Sequence, residues 1–221
     1  MKNNKLGKVL AEFIGTFFLV LTVVGSGIMG ENLSDNLALT LLGNSLATGA
    51  ILFVIITMFI NISGAYFNPA VVLCDLINKK IELKIALLFI FIQIIGGIFG
   101  CLLANFYFDK DILEWSTNER YSFLTFISEI VATFGLILTI IIISNKDKDK
   151  IAIAVALYIT AGYWFTSSTS FANPAVTVSR IFTDSFTGIY PYHAFYFIFA
   201  QIIGAFIATF FAKLFISSKN I

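Results

Sequence analysis

Two triplets, Asn68-Pro69-Ala70 and Asn173-Pro174-Ala175, carry the chemistry that this chain offers. Each follows a small polar run, Ser63-Gly64-Ala65-Tyr66-Phe67 in one case and Ser167-Ser168-Thr169-Ser170-Phe171-Ala172 in the other. Each precedes an apolar run, Val71-Val72-Leu73 or Val176-Thr177-Val178. That order is how a helix begins: the Asn caps the first free N–H groups, and Pro takes the first helical position, where its missing N–H costs nothing. A helix start concentrates unpaired N–H donors and roughly half a positive charge. Two such starts facing each other would offer hydrogen bonds to water or a polyol from both sides. The side-chain amides of Asn68 and Asn173 would add a donor each, and the converging positive ends would repel cations. The plainer reading, two capped turns in soluble loops, fits poorly with a symmetric pair set among long apolar stretches.

The elements that position these triplets follow from composition. Of 221 residues, 58% are hydrophobic and 12% charged, against about 25% charged in a soluble domain. The chain is therefore a membrane protein, and its net charge of +1 gives no reason to expect a nucleic-acid partner. Six stretches approach the length of about 20 residues that a helix needs to cross a bilayer core. They fall at 8–29, 37–60, 83–107, 121–143, 151–168 and 191–215, the fifth being short. The first is too long for a signal-peptide core and is expected to remain in the mature protein. The segments 61–80 and 166–190 are too short to cross and return. From Asn68 to Lys79 a helix would extend roughly 17 Å, about half a core. The expected fold is thus all-α, with six transmembrane helices and two re-entrant half-helices. Lysine and arginine set the orientation. Lys2, Lys5, Lys8, Lys79, Lys80, Lys84, Lys146, Lys148, Lys150, Lys213 and Lys219 fall on one side, and Lys110, Arg120 and Arg180 on the other. Both termini are expected in the cytoplasm. Cys74 and Cys101 sit inside apolar segments, so no disulfide framework is expected.

The two halves repeat within a single channel domain, 1–221. Glu12 and Glu129 open the repeats, 117 residues apart; the asparagines follow at a spacing of 105, and Gln93 and Gln201 close them at 108. The repeats span 8–107 and 121–215. Three spans per repeat is an odd number, so the second copy must be inverted and the shared site must lie near the bilayer midplane. Glu12 and Glu129 are ionisable groups inside spans, costly unless partnered. They read as structural braces for the two irregular loops. A proton relay is the sharper alternative, but no further chain of ionisable residues accompanies them. Gly96 with Gly100, and Gly204 with Ala208, form small-residue faces for close helix packing.

With both triplets, Ala11-Glu12-Phe13 and Ser63-Gly64-Ala65-Tyr66-Phe67-Asn68-Pro69-Ala70-Val71 in place, the chain resembles the aquaporin and glycerol-facilitator (major intrinsic protein) family over nearly its whole length. The resemblance implies a tetramer with one pore per protomer. It also implies an outer constriction, the selectivity filter, where the family has an arginine directly after the second triplet. Here that position is Val176. The corresponding lining positions are Thr48, Ser170 and one of Ala161 to Tyr163, of which Tyr163 is chosen. Valine in place of a guanidinium removes five donors and a fixed charge, so the pore should widen and pass uncharged solutes larger than water. Arg180, four residues further, shares the face of Val176 about 6 Å outward. It either points into the outer vestibule or serves structure, snorkelling or pairing with Asp184. Asp75 holds the matching place in the first half, with Lys79 as a prospective partner. The Val176 form resembles a bacterial branch associated with arsenic resistance, whose cargo of neutral metalloid hydroxides suits such a pore.

The expected function is a passive transmembrane channel for small uncharged solutes: glycerol-like polyols, urea-sized solutes, metalloid hydroxides such as arsenite, and water. Its partners are those solutes and the lipid bilayer of the cell inner (plasma) membrane, as a homotetramer. No cofactor or metal is expected, and no enzymatic role: the single histidine, His193, has no nucleophile or metal partner in view. Alternatives are an ion-coupled secondary transporter with broken helices, a water-selective aquaporin, or a scaffold with a vestigial pore.

Overall fold

A computed structural model describes residues 5–216; Lys2 and Lys219, counted above, lie outside the described residues. Every regular element described is helical. Five helices are long and apolar enough to cross a membrane: α1 (Lys5–Leu33), α2 (Leu37–Phe59), α4 (Leu83–Tyr107), α5 (Phe123–Lys146) and α8 (Pro191–Phe215). Between them lie α3 (Pro69–Ile77), α6 (Ile151–Phe165) and α7 (Pro174–Ser179), with short 3₁₀ turns at Lys148–Lys150 and Arg180–Phe182. The starts follow local chemistry. Asn36 accepts from the N–H groups of Ala38 and Leu39, Ser122 and Thr125 form a reciprocal capping box, and Pro191 begins α8.

Helix α6 ends three residues before the expected boundary at 168, because Thr166 is extended and the chain turns there toward the second triplet. Its 15 residues make it about 22 Å long, short of the sixth full span expected and outside the five helices long enough to cross. The half-helices are also shorter than the spacing suggests. Helix α3 stops at Ile77 because Lys79 adopts a left-handed conformation, φ 56°, and the Lys80 N–H returns to the Asp75 carbonyl at 2.8 Å. The Lys79 N–H meets the Leu76 carbonyl, completing a Schellman closure. In α7, the hydroxyls of Thr177 and Ser179 donate back to the carbonyls of Asn173 and Ala175. Such back-bonding competes with the helical ladder, and the chain tightens into the 3₁₀ turn at Arg180.

Helix α1 packs chiefly on α4, and α5 on α8. The backbones approach closely because glycine leaves room. A Cβ on Gly96 or Gly100 would sit 2.5 Å or 2.3 Å from the carbonyl oxygens of Phe13 and Phe17, and one on Gly204 would sit 2.5 Å from that of Ile130. Small residues thus do the packing that the apolar effect cannot do between helices in lipid. Large apolar side chains such as Phe91, Phe99, Phe195 and Phe199 face outward.

Candidate functional site

The amino ends of α3 and α7 abut. Asn68 Oδ1 caps the Ala70 N–H at 2.9 Å, and Asn173 Oδ1 caps the Ala175 N–H at 2.9 Å. Each amide then crosses to the other loop: Asn68 Nδ2 donates to the Ala172 carbonyl and Asn173 Nδ2 to the Phe67 carbonyl, both at 2.8 Å. Each NH₂ carries two protons, so the second N–H of each is available to the cavity that both residues line. Pro69, Ala70, Pro174 and Ala175 are buried behind them.

The loops that deliver these asparagines are held in conformations that L-residues seldom adopt. Ala65 and Phe67 have φ of 52° and 48°; Ser170 and Ala172, 105 residues later, have 50° and 47°. Each such residue costs about 1–3 kcal/mol and persists only where its surroundings over-determine it. Glu12 supplies that determination in the first half. It accepts from Ser63 Oγ (2.5 Å), Tyr66 N–H (3.1 Å), Phe67 N–H (2.8 Å) and Gln93 Nε2 (2.8 Å). Glu129 does the same in the second, accepting from Ser168 Oγ (2.6 Å), Phe171 N–H (2.9 Å), Ala172 N–H (3.0 Å) and Gln201 Nε2 (2.7 Å). Both carboxylates are fully buried.

One cavity of about 330 Å³ passes the paired asparagines. Its lining includes Asn61, Lys148 and Asp149, Tyr66, Val71 and Asp75, and Thr48, Tyr163, Ser170, Phe171, Val176 and Arg180. All four residues expected at the constriction line this cavity. Thr48 Oγ1 and Tyr163 Oη are hydrogen-bonded at 3.0 Å. The Ser170 Oγ is buried and has no hydrogen-bond partner among the described residues. Gly162 makes room for Ser170, since a Cβ there would stand 2.7 Å from its Oγ.

Arg180 lines the cavity and takes neither of the two structural roles expected for it. Asp184 does not pair with it; that carboxylate accepts from the N–H and hydroxyl of Thr117. Nor does the side chain snorkel, being 2% exposed. Its Nε donates to the Thr187 carbonyl, and its guanidinium carbon lies 3.4 Å from the centre of the Phe171 ring. Asp75 likewise does not pair with Lys79, whose backbone closes α3; it accepts from the Tyr66 hydroxyl at 2.9 Å.

Sequence reasoning overlooked three of these residues. Phe171 was an unremarked aromatic before the triplet, and Tyr66 only part of a motif. The spacing of 105 that relates the asparagines also pairs Tyr66 with Phe171 and Asp75 with Arg180, and so could have exposed them. Arg120 was counted only as an outer charge. It reaches across to the carbonyls of Gly188 (2.6 Å) and Phe186. Burial pushes its guanidinium down to about 10, with Tyr163 and Glu129 pulling the other way. It stays charged at neutral pH.

A bundle of membrane-crossing helices around a cavity, with two half-helices joined by their capping asparagines, defines a transmembrane pore. The chain belongs to the major intrinsic protein family, whose profile matches residues 1–150; proteins of this family are channels and not enzymes. It is 43% identical over 196 residues to "Aquaglyceroporin AqpS" of Rhizobium meliloti (strain 1021), covering 89% of this chain and 84% of that one. It is 34% identical over 135 residues to a probable TIP-type aquaporin of Medicago truncatula, covering 59% and 54%. The X-ray structure of the aquaglyceroporin from Plasmodium falciparum shares its fold, with a TM-score of 0.77 at 24% identity over 96% of this chain and 97% of that one.

Proposed function

We propose that this protein is a passive channel for small uncharged solutes, driven by their own gradients. Glycerol-like polyols, urea-sized solutes and neutral metalloid hydroxides such as arsenite are the candidates, with water as a further permeant. The observation that carries this reading is the single cavity lined by both asparagines, with uncommitted donors along an otherwise mainly apolar wall. The aquaglyceroporin name of the 43% identical relative supports the polyol class. The filter is Thr48, Tyr163, Ser170 and Val176, and Asn68 and Asn173 with their Pro-Ala partners supply the midpoint donors. Glu12 and Glu129 brace the loops. The chain forms one domain of two inverted repeats, 8–107 and 121–215, assembles as a homotetramer, and lies in the plasma (inner) membrane with both termini cytoplasmic.

The coupled-transporter reading needs a free intramembrane acid. Glu12 and Glu129 each already accept four hydrogen bonds within the protein. Stopped-flow volume changes of proteoliposomes in water, glycerol and arsenite test the proposal, with Val176→Arg as comparison. Solute flux should be linear in the gradient and independent of protons or sodium, and the arginine should cut solute flux more than water flux. Flux that saturates and follows an ion gradient would favour the transporter. Polyol and metalloid fluxes untouched by Val176→Arg would remove Val176 from the filter.

A further inference from the structure

Arg180 is a buried guanidinium that forms no ion pair among the described residues, Glu129 acting on it only at a distance. Among the described residues the ion pair Asp147–Lys150 is the one observed, and it lies in the loop between α5 and α6. Burying an unpaired charge is costly unless something solvates it. Among the described residues the Arg180 side chain makes one hydrogen bond, from Nε to the Thr187 carbonyl, and it lines the cavity. A guanidinium has five N–H donors, so its terminal NH₂ groups remain for whatever occupies the cavity. A loop anchor alone would not need this arrangement, because Arg120 already holds the same loop. The carbonyls of three consecutive residues alternate: Phe186 and Gly188 accept from Arg120, and Thr187 accepts from Arg180.

The seat of Arg180 is rigid on every side. Phe171 lies flat beneath it, with the Arg120 guanidinium 5.4 Å from the same ring. The Phe171 N–H is fixed by Glu129, and its ring packs edge-on against Phe197 at 5.1 Å. Thr187 is held through Ser185, whose Oγ lies 3.1 Å from both the Thr187 and the Thr183 hydroxyls. Arg180 thus projects a fixed, planar charge into the cavity four residues beyond Val176, on the same helical face and about 6 Å further along the axis. Ser170 Oγ, buried and with no hydrogen-bond partner among the described residues, lines the same cavity.

We propose that Arg180 is a specificity-determining residue of this channel. It supplies, one turn further out, the guanidinium that Val176 lacks, and it divides the filter into two levels. At the Arg180 level, charge rejects cations and the free N–H groups take solute oxygens. At the Val176 level, the wall is apolar and admits a wider solute. The inference rests on the channel reading above and refines it.

The experiment uses proteoliposomes holding the full chain as wild type, Arg180→Val, Arg180→Lys and the exchange Val176→Arg/Arg180→Val. Glycerol, xylitol and water are followed by stopped flow, and potassium and proton leak by dye. Arg180→Val should raise cation leak above wild type, with the paired helix ends still opposing cations, and change the glycerol-to-xylitol permeability ratio by about tenfold, the size of one charge-assisted hydrogen bond. Arg180→Lys, which keeps the charge but loses the planar stacking on Phe171, should still exclude cations while shifting the solute ratio. The exchange should regain cation exclusion and reject xylitol more strongly than wild type. Water flux retained in each variant shows that it has folded. Solute ratios and cation leak in Arg180→Val and the exchange that match wild type would overturn the proposal. Wild-type vesicles with no glycerol flux above empty ones would instead overturn the channel reading itself.

Discussion

The two loops that meet at the asparagines share their backbone almost residue for residue, yet differ in the side chains they present to the pore. Ala65 and Phe67 match Ser170 and Ala172 in left-handed φ, and Glu12 matches Glu129 in each of its four acceptor contacts. The same spacing places Tyr66 opposite Phe171 and Asp75 opposite Arg180. In the first half a phenol donates to a carboxylate; in the second a bare ring carries a guanidinium. One framework therefore holds both half-helices, while paired positions on it carry opposite charge. Geometry and selectivity are separable here, because the brace acts on backbone N–H groups and leaves the cavity-facing side chains free to differ.

The largest effect should come from the shared framework. Glu12→Ala and Glu129→Ala each take the acceptor from two backbone N–H groups of an irregular loop, from a serine hydroxyl and from a glutamine amide, although Gln201 Nε2 keeps Thr177 Oγ1 and Ser168 Oγ keeps Ser128 Oγ as second partners. At about 1–3 kcal/mol for each unsatisfied buried donor, either change should remove several kcal/mol. Thermal unfolding of the detergent-solubilised protein should show the two losses to be similar. A large loss in one half and none in the other would break the equivalence of the loops.

A smaller effect is expected where the halves differ. Tyr66→Phe makes the first loop resemble the second and removes the bond to Asp75, at a cost of about 1 kcal/mol. Melting should fall slightly, and the glycerol-to-xylitol ratio should hold. A shift in that ratio as large as the one expected for Arg180→Val would mean that both ends select.

The smallest effect belongs to the loop joining the halves. Lys150 donates to Asp147 at 2.9 Å on an exposed turn and holds its carboxyl below the usual aspartate range. A depressed acid contributes stability above its ordinary range and loses it as pH falls through the folded value. At neutral pH the contribution is therefore fully present, but solvent screens it. Asp147→Ala should leave flux and melting unchanged; a clear loss would give this linker a part in positioning the halves.

Local signals along the chain were enough to read the helices to within a few residues at their ends, the two capped starts, the internal spacing and the family. Those signals are apolar length, an Asn-Pro cap, and motifs repeated at a fixed interval. The sequence left Arg180 with two readings and Arg120 with none. Whether an arginine lines a pore or pairs with Asp184 depends on where the carbonyl of Thr187 and the ring of Phe171 stand. Those positions are set by contacts between residues far apart in the chain: Glu129 with Phe171, and Arg120 with Phe186 and Gly188. Similarly, the spacing that pairs Asp75 with Arg180 was legible, but Tyr66 rather than Lys79 as the partner of Asp75 was not. A helix that closes with a left-handed residue uses the Lys79 backbone in its cap, and only the folded turn reveals that. Local patterns fix which elements form, because each element satisfies its own backbone. Side chains that face a shared cavity are decided by packing, because each can be satisfied in more than one place.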